Sequence, residues 1–385
     1  MLQLLFSLIV FGLLLRDGRL LYRAKHAPEG RRKRRRLRVW IAIDLLPILL
    51  MVGYLMDNPP VVMRTSMWVT WFWMVVSSAR IGYGVLAAVG WRKAGVAVAA
   101  LAVGTLLYGA IWGRCALRTE EVEVCSSRLP ASFDGLRIAF FSDLHLGALV
   151  DTKREVGRLV ERINSLNPDL VFFGGDLVNI RHSELDETAT RLLRGIQKPV
   201  YAVIGNHDVG TYIGDSVALP YAVSYERLVA QERAMGWTVL RDTTLYLKRG
   251  TDSISLSGFA YNPEFKKERH DRDLPMSGAE EGYRNVPTDL YNITLIHVPQ
   301  HWEEILHRGY GDLTLAGHTH SMQLKLRTGK GRGISPARLV YPRWSGRYDC
   351  EGRTLYINDG IGYVAYPMRI GARPEVTLIT LKRCE

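Results

Sequence analysis

Residues 136–145 read LRIAFFSDLH: a short apolar run, broken only by Arg137, and then Ser142, Asp143, Leu144 and His145. A run of this length bounded by polar residues predicts a buried strand. The residues directly after it place metal-capable side chains at the strand's carboxyl end. The same order recurs along the chain. DLVFF (169–173) is followed by Gly174, Gly175 and Asp176, and VYAVI (200–204) by Gly205, Asn206, His207 and Asp208. A strand over 293–296 leads to His297, and one over 313–316 leads to Gly317, His318, Thr319 and His320. In open α/β sheets, sites form outside the carboxyl ends of the strands. Five of the ten histidines lie in these blocks, a concentration that core packing does not explain.

Between the strands the period changes. Val156, Leu159, Val160 and Ile163 predict a helix over 152–166. Further helices are expected over 183–196, 220–235 and 301–307. Short strands are expected over 238–240, 245–247 and 253–257, with closing strands over 355–358 and 375–381. Residues 260–290, rich in charge, glycine and proline, read as a long loop. Strand–helix alternation followed by strands in series predicts an α/β layered domain with a mixed sheet or two sheets.

The 385 residues are 47% apolar and 23% charged, with a net charge of +12, which excludes a disordered or collagen-like chain. The charge is unevenly placed. Residues 1–118 hold 17 basic and 4 acidic residues, and residues 119–385 hold 33 basic and 34 acidic. The larger part is therefore near neutral, and no nucleic-acid partner is expected. The N-terminal part, 1–118, has four apolar stretches, roughly 1–15, 40–56, 66–88 and 94–112. They read as about four transmembrane helices, with six of the nine tryptophans among or near them. Residues 16–39, with 11 Lys or Arg, are expected to form a basic cytoplasmic loop facing anionic lipid. By the positive-inside rule, the domain over 119–385 then lies on the extracytoplasmic side of the cell membrane. Cys115, Cys125, Cys350 and Cys384 could pair there, but the spacing leaves the pairing open, and oligomeric state is not legible.

Asp and His together suit borderline divalent ions such as Mn, Fe, Zn or Co. A carboxylate can bridge two cations, and two cations can clamp a phosphoryl group and lower the pKa of a bridging water. The blocks resemble the calcineurin-like metallophosphoesterase family, whose pattern is DxH, GD, GNH followed by D or E, a lone His, and GHxH. All five occur in order, with spacings of 33, 30, 91 and 21 residues from Asp143 through Asp176, Asn206 and His297 to His318. The membrane segments and Tyr341-Pro342-Arg343-Trp344 resemble a bacterial membrane-anchored subgroup. The resemblance implies a four-layer αββα sandwich after N-terminal transmembrane helices, two divalent metal ions, and hydrolysis of a phosphate ester or pyrophosphate.

It also implies roles. Asp143, His145 and His320 would bind one metal, Asp176 would bridge, and Asn206, His297 and His318 would complete the second. His207 would be the catalytic acid toward the leaving oxygen. Many members carry an Asp three residues after the bridging one; here Asn179 stands there, so Asp208 is expected to orient or charge-stabilise the His207 ring. Arg343 could hold a substrate phosphate or form a salt bridge. His182, His270, His301 and His307 fit no block. The tether favours membrane lipids as partners and a phosphorylated, lipid-linked or envelope substrate. A non-catalytic metal-binding scaffold and a transporter or sensor are the competing readings.

Overall fold

The computed structural model describes residues 2–25, 30–56, 60–210, 221–262, 276–327 and 332–384. The chain divides into two compact units, Met1–Leu107 and Tyr108–Glu385. His270 lies outside the described residues, as do residues 263–275 of the predicted 260–290 loop.

The first unit is helical: α1 (Leu2–Lys25), α2 (Gly30–Met56), α3 (Pro60–Ala88) and most of α4 (Arg92–Ile111). The expected basic loop is a correction. Residues 16–25 finish α1 and residues 30–39 open α2, because Arg and Lys are good helix formers and no Gly or Pro follows Gly30 before Trp40. Among the described residues one helix, Arg92–Cys115, is long and apolar enough to cross a membrane. Polar residues interrupt the others. In α3, Arg80 reaches Asp44 of α2 at 3.0 Å and Asp17 of α1 at 2.5 Å, and its guanidinium lies 4.3 Å from the Trp40 ring centre. Both aspartates are buried. Their charge is answered by a neighbouring helix, the arrangement a low-dielectric interior demands.

The second unit contains two six-stranded sheets. The first runs β1 (Arg118–Ser126), β12 (Glu375–Arg383), β2 (Arg137–Phe141), β3 (Leu170–Phe173), β4 (Val200–Ala202), β5 (Thr238–Val239). The second runs β10 (Gly346–Cys350), β11 (Arg353–Ile357), β9 (Leu313–Ala316), β8 (Asn292–Leu295), β7 (Asp252–Gly258), β6 (Thr243–Arg249). Both are mixed: β2, β3, β4 and β5 pair in parallel while β12 runs antiparallel to β2. In the second, β7, β8, β9 and β11 are parallel and the two edge strands antiparallel.

Side-chain alternation assigns the layers. Ile138 and Phe140 of β2 share one buried cluster with Ile293 and Leu295 of β8 and Leu313 and Leu315 of β9. That cluster is the sheet-on-sheet core. On its other face β2 offers Phe141, tilted against Phe173 and edge-on to Trp237. Helix α5 (Thr152–Ser165) buries Val156, Leu159, Val160 and Ile163; it starts at the Asp151 cap, whose carboxylate accepts from the Arg154 N–H. Helices α6 (Glu187–Leu193) and α7 (Tyr221–Ala234) follow. On the second sheet, Leu355 and Ile357 face outward and pack with Ile305 and Trp302 of α9 (Trp302–His307) and Ala279 of the short α8 (Ala279–Gly282).

Two strands have no counterpart in the sequence reading, β1 and β10. Both are edges with one side wet, so their apolar alternation is diluted by charge. β1 lies parallel to β12 from Arg118↔Glu375 to Ser126↔Arg383, and Cys125 is bonded to Cys384 at its end, Cα atoms 5.6 Å apart. Cys115 and Cys350 are free.

Glu232 in α7 is fully buried, and neither carboxylate oxygen has a partner among the described residues. Burial, then the nearby Asp208, push its pKa well above the usual value. The folded state therefore keeps a proton that the unfolded state releases above about pH 4.5. Glu232 stabilises least at alkaline pH, losing up to about 1.4 kcal/mol per pH unit. Glu232→Met is expected to gain stability over wild type between pH 5 and 8, read as a rising difference in urea midpoint. A constant difference would show that Glu232 is not held protonated.

Candidate metal centre

The carboxyl ends of β2, β3, β4, β8 and β9 bring the five polar blocks together. Backbone bonds lock the loops to one another. The Asp143 N–H donates to the Gly175 carbonyl (2.8 Å), the His145 N–H to the Asp176 carbonyl (3.1 Å), and the His318 N–H to the Asp143 carboxylate (3.0 Å). Asp143, His145, Asp176, His318 and His320 all have positive φ, from 47° to 74°. Each costs of order 1 kcal/mol or more in a non-glycine residue, so the surrounding structure is holding these side chains where it needs them. Two glycines make the approach possible. A Cβ on Gly205 would strike the Asp176 carboxylate, and one on Gly317 the Asp143 carboxylate.

Around the Asp176 carboxylate the nitrogens converge. Its Oδ2 lies 3.6 Å from His145 Nε2 and 3.1 Å from His297 Nε2. On the His145 side, Nε2 is 3.0 Å from His320 Nε2, which is 3.2 Å from Asp143 Oδ1. On the His297 side, Asn206 Oδ1 is 3.0 Å from both His297 Nε2 and His318 Nδ1. His297 Nδ1 meets the Gly174 carbonyl at 2.8 Å. That carbonyl can only accept, so it places the proton on Nδ1 and turns Nε2 inward.

All seven sequence-predicted metal residues thus occupy one buried or half-buried cluster, and three groups drawn from them and His207 have ligand atoms within 4.8 Å of one another. Ring nitrogens 3.0–3.3 Å apart and two buried carboxylates make a donor set that fits two divalent cations.

The electrostatics agree. Burial opposes the charge on Asp143 and Asp176, yet the imidazoles of His320 and His297 hold both below the usual carboxylate range. Burial also opposes the His297 imidazolium, but Asp176 outweighs it and raises the pKa to about 10. Burial and neighbouring His207 depress His145. Metal-free, the cluster concentrates positive charge on a proton at the place where a cation would compete for it.

His207 is half-buried, its ring edge-on to His145 with centres 4.6 Å apart. Its Nδ1–H donates to the Asn179 backbone carbonyl at 2.6 Å, which fixes the ring's orientation. Burial lowers its pKa.

Here the expectation for Asp208 is corrected. Its carboxylate accepts from the backbone N–H groups of Asp176 (2.7 Å), Gly205 (2.9 Å) and Val178 (3.1 Å). It splints two ligand loops; the imidazole is oriented by a main-chain carbonyl instead. That carbonyl is available whichever side chain stands at 179. Arg343 pairs with Glu303 at 2.9 Å and stacks over Trp302, the salt-bridge alternative. His182 pairs with Ser224, His307 ends α9, and His301 borders a recess with Tyr261, Met276 and His297.

Two supporting residues escaped the sequence reading. Glu184, eight positions after Asp176, accepts from the N–H groups of Gly147 (3.0 Å), Asn179 (2.5 Å) and Ile180 (2.9 Å). It thereby holds the loop whose carbonyl holds His207. Arg369, fully buried, donates to the carbonyls of Asp359, Gly362 and Ala372 and meets His320 Nδ1 at 3.1 Å. Neither lies in a strand-end block, so no local signal marked them.

Comparison with known proteins gives concordant results. A family model described as calcineurin-like phosphoesterase matches residues 136–322. A Danio rerio protein named transmembrane protein with metallophosphoesterase domain is 31% identical over 72% of this chain; the chain spans 60% of that protein's length. A Bacillus subtilis protein named uncharacterized metallophosphoesterase YkuE is 31% identical over 74% of this chain and 94% of its own length. A Chlamydia trachomatis UDP-2,3-diacylglucosamine pyrophosphatase is 25% identical over 65% of this chain and 84% of its own.

Proposed function

The chain belongs to the calcineurin-like metallophosphoesterase family, and we propose that it is a membrane-associated hydrolase cleaving a phosphate ester or pyrophosphate bond in a lipid or lipid-linked substrate. The observation that carries this is the Asp176 carboxylate standing between His145 and His297 at 3.6 and 3.1 Å. Asp143, His145 and His320 would hold one divalent cation, and Asn206, His297 and His318 the other, with Asp176 shared. Such a pair supplies Lewis acidity toward phosphoryl oxygens and lowers the pKa of water at the site.

The protein's own groups do the rest. The Asn179 carbonyl fixes the His207 ring, and His207 Nε2 delivers a proton to the departing oxygen. Asp208 and Glu184 keep the ligand loops from spreading.

The lipid end of the reading is supported by the apolar α4, by relatives named transmembrane proteins, and by the relative named for a diacylglucosamine pyrophosphatase. We place the catalytic unit on the extracytoplasmic side, with α1–α4 in the membrane. The basic excess before residue 118 and the Cys125–Cys384 disulfide fit that side. An inactive alkaline phosphatase fused at the C-terminus would refute the placement.

The activity is tested on the full chain in detergent, stripped by chelation and assayed on aryl phosphomonoesters and phosphodiesters. Turnover is expected to return with added Mn²⁺ as two cations bind per chain. Two bound cations with no hydrolysis of any phosphoester, including phospholipids, would overturn the reading.

A further inference from the structure

The segment after His320 has a composition unlike the rest of its unit. From Ser321 to Tyr348 there are seven Lys or Arg and no Asp or Glu, whereas the rest of residues 119–385 holds 26 basic and 34 acidic residues. Its described part turns back on itself: the Leu326 and Ile334 backbones exchange two hydrogen bonds of 2.8 Å. Leu326, Ile334 and Leu339 are 66%, 49% and 68% exposed. Arg338 directly precedes Leu339; its backbone N–H donates to the Ser335 carbonyl, and its guanidinium makes no hydrogen bond or ion pair among the described residues. Arg327 and Arg332 adjoin the paired backbones and donate to Glu120 and to the Arg347 carbonyl. Large aliphatics left in water and interleaved with arginine mark a surface built for a partner that is apolar inside and anionic outside.

The base of this hairpin says where the partner lies. The Lys325 N–H donates to the Ile370 carbonyl, and the Ile370 N–H to the Gln323 carbonyl, both at 2.8 Å. Ile370 in turn packs on the end of α4. A Cβ added to Gly109 would stand 2.7 Å from the Ile370 side chain, and one on Gly113 would collide with the Arg369 carbonyl. The Arg369 N–H also donates to the Gly109 carbonyl. At that end Tyr108, Ile111 and Trp112 are themselves 50%, 53% and 63% exposed. The hairpin therefore springs from the place where the one described helix apolar enough to cross a bilayer joins the catalytic unit, four residues past a proposed metal ligand.

We propose that this hairpin rests on the bilayer that holds α4. Leu326, Ile334 and Leu339 sink into the headgroup–acyl boundary, and Arg338 with its neighbouring arginines contacts lipid phosphates. The contact presents the metal centre to phosphoesters carried in that membrane. The proposal rests on the membrane association proposed above.

The test uses the full chain in nanodiscs of phosphatidylcholine and phosphatidylglycerol, with Cys115→Ser and Cys350→Ser removing the free thiols. An environment-sensitive fluorophore is attached through Leu339→Cys, and in a control through Glu280→Cys on exposed α8. Aryl phosphoester turnover confirms that each variant is folded; Leu326→Cys replaces Leu339→Cys if that variant is inactive. Nitroxide-bearing lipid is expected to quench the label at 339 at least threefold more than the label at 280. Equal quenching in nanodiscs that retain the chain would overturn the hairpin contact and leave membrane association standing. So would a label at 339 that is shielded but unquenched by lipid, the sign of a protein occupant. A chain that neither enters nanodiscs nor sediments with membranes would overturn both.

Discussion

Replacing Asp176 by alanine is expected to lower kcat by at least ~10³-fold and to reduce bound cations from two per chain to one or none. Every other proposed ligand serves one side of the centre, while Asp176 stands between both. Its Oδ2 faces His145 and His297, and its Oδ1 accepts the His207 N–H at 2.9 Å. The residue is 1% exposed, so bulk solvent does not compensate for the lost charge. Asp176→Asn separates charge from shape. It keeps the His207 contact and the packing against Gly205 but removes the negative charge that two cations require. It is expected to fold, with an unfolding midpoint near wild type, and to fail in metal retention measured by elemental analysis. Full turnover by Asp176→Asn would remove this carboxylate from the centre of the mechanism.

His207→Gln is expected to retain both cations and to lose ~10²–10⁴-fold in kcat on substrates with a basic leaving group, the range for a missing general acid. On an aryl ester whose phenolate leaves unaided the loss should shrink toward tenfold or less. That dependence on leaving-group pKa separates an acid from a residue that only shapes the site.

Two companion variants locate the support. Asn179→Ala should stay within about threefold of wild type, because the contact at 2.6 Å comes from the backbone carbonyl. Asp208→Asn should lower stability by roughly 1–3 kcal/mol, the cost of leaving buried N–H groups unsatisfied, without changing the leaving-group dependence. If Asp208→Asn flattened that dependence and Asn179→Ala abolished turnover, the assignment of the orienting group would have to be exchanged.

The uneven legibility of the fold has physical causes. Central strands such as β2 and β9 are buried on both faces and appear as short apolar runs. The edge strands β1 and β10 are half wet and carry charge, so they hid. Helix α5 showed itself through four buried positions at helical spacing. The basic stretch 16–39 misled because net charge speaks for solvent, whereas helix propensity is local and arginine has it.

At the site the division is similar. Asp143, His145, Asp176, Asn206, His207, His297, His318 and His320 were legible because each sits one to four residues beyond an apolar run, and strand ends are where a chain can turn a polar side chain inward. The pattern of residue types, without any coordinates, was enough to name the chemistry. Tertiary structure alone decided how the centre is supported. Asp208 turned out to clamp backbone, Asn179 to act through its carbonyl, and Glu184 and Arg369 to bind Gly147 and His320, 37 and 49 residues away. It also paired Cys125 with Cys384, 259 residues apart. Local order carries strand, helix and ligand identity because those depend on neighbours a few bonds away. Which donor meets which acceptor across hundreds of residues depends on register and loop closure, and these exist only once the chain has folded.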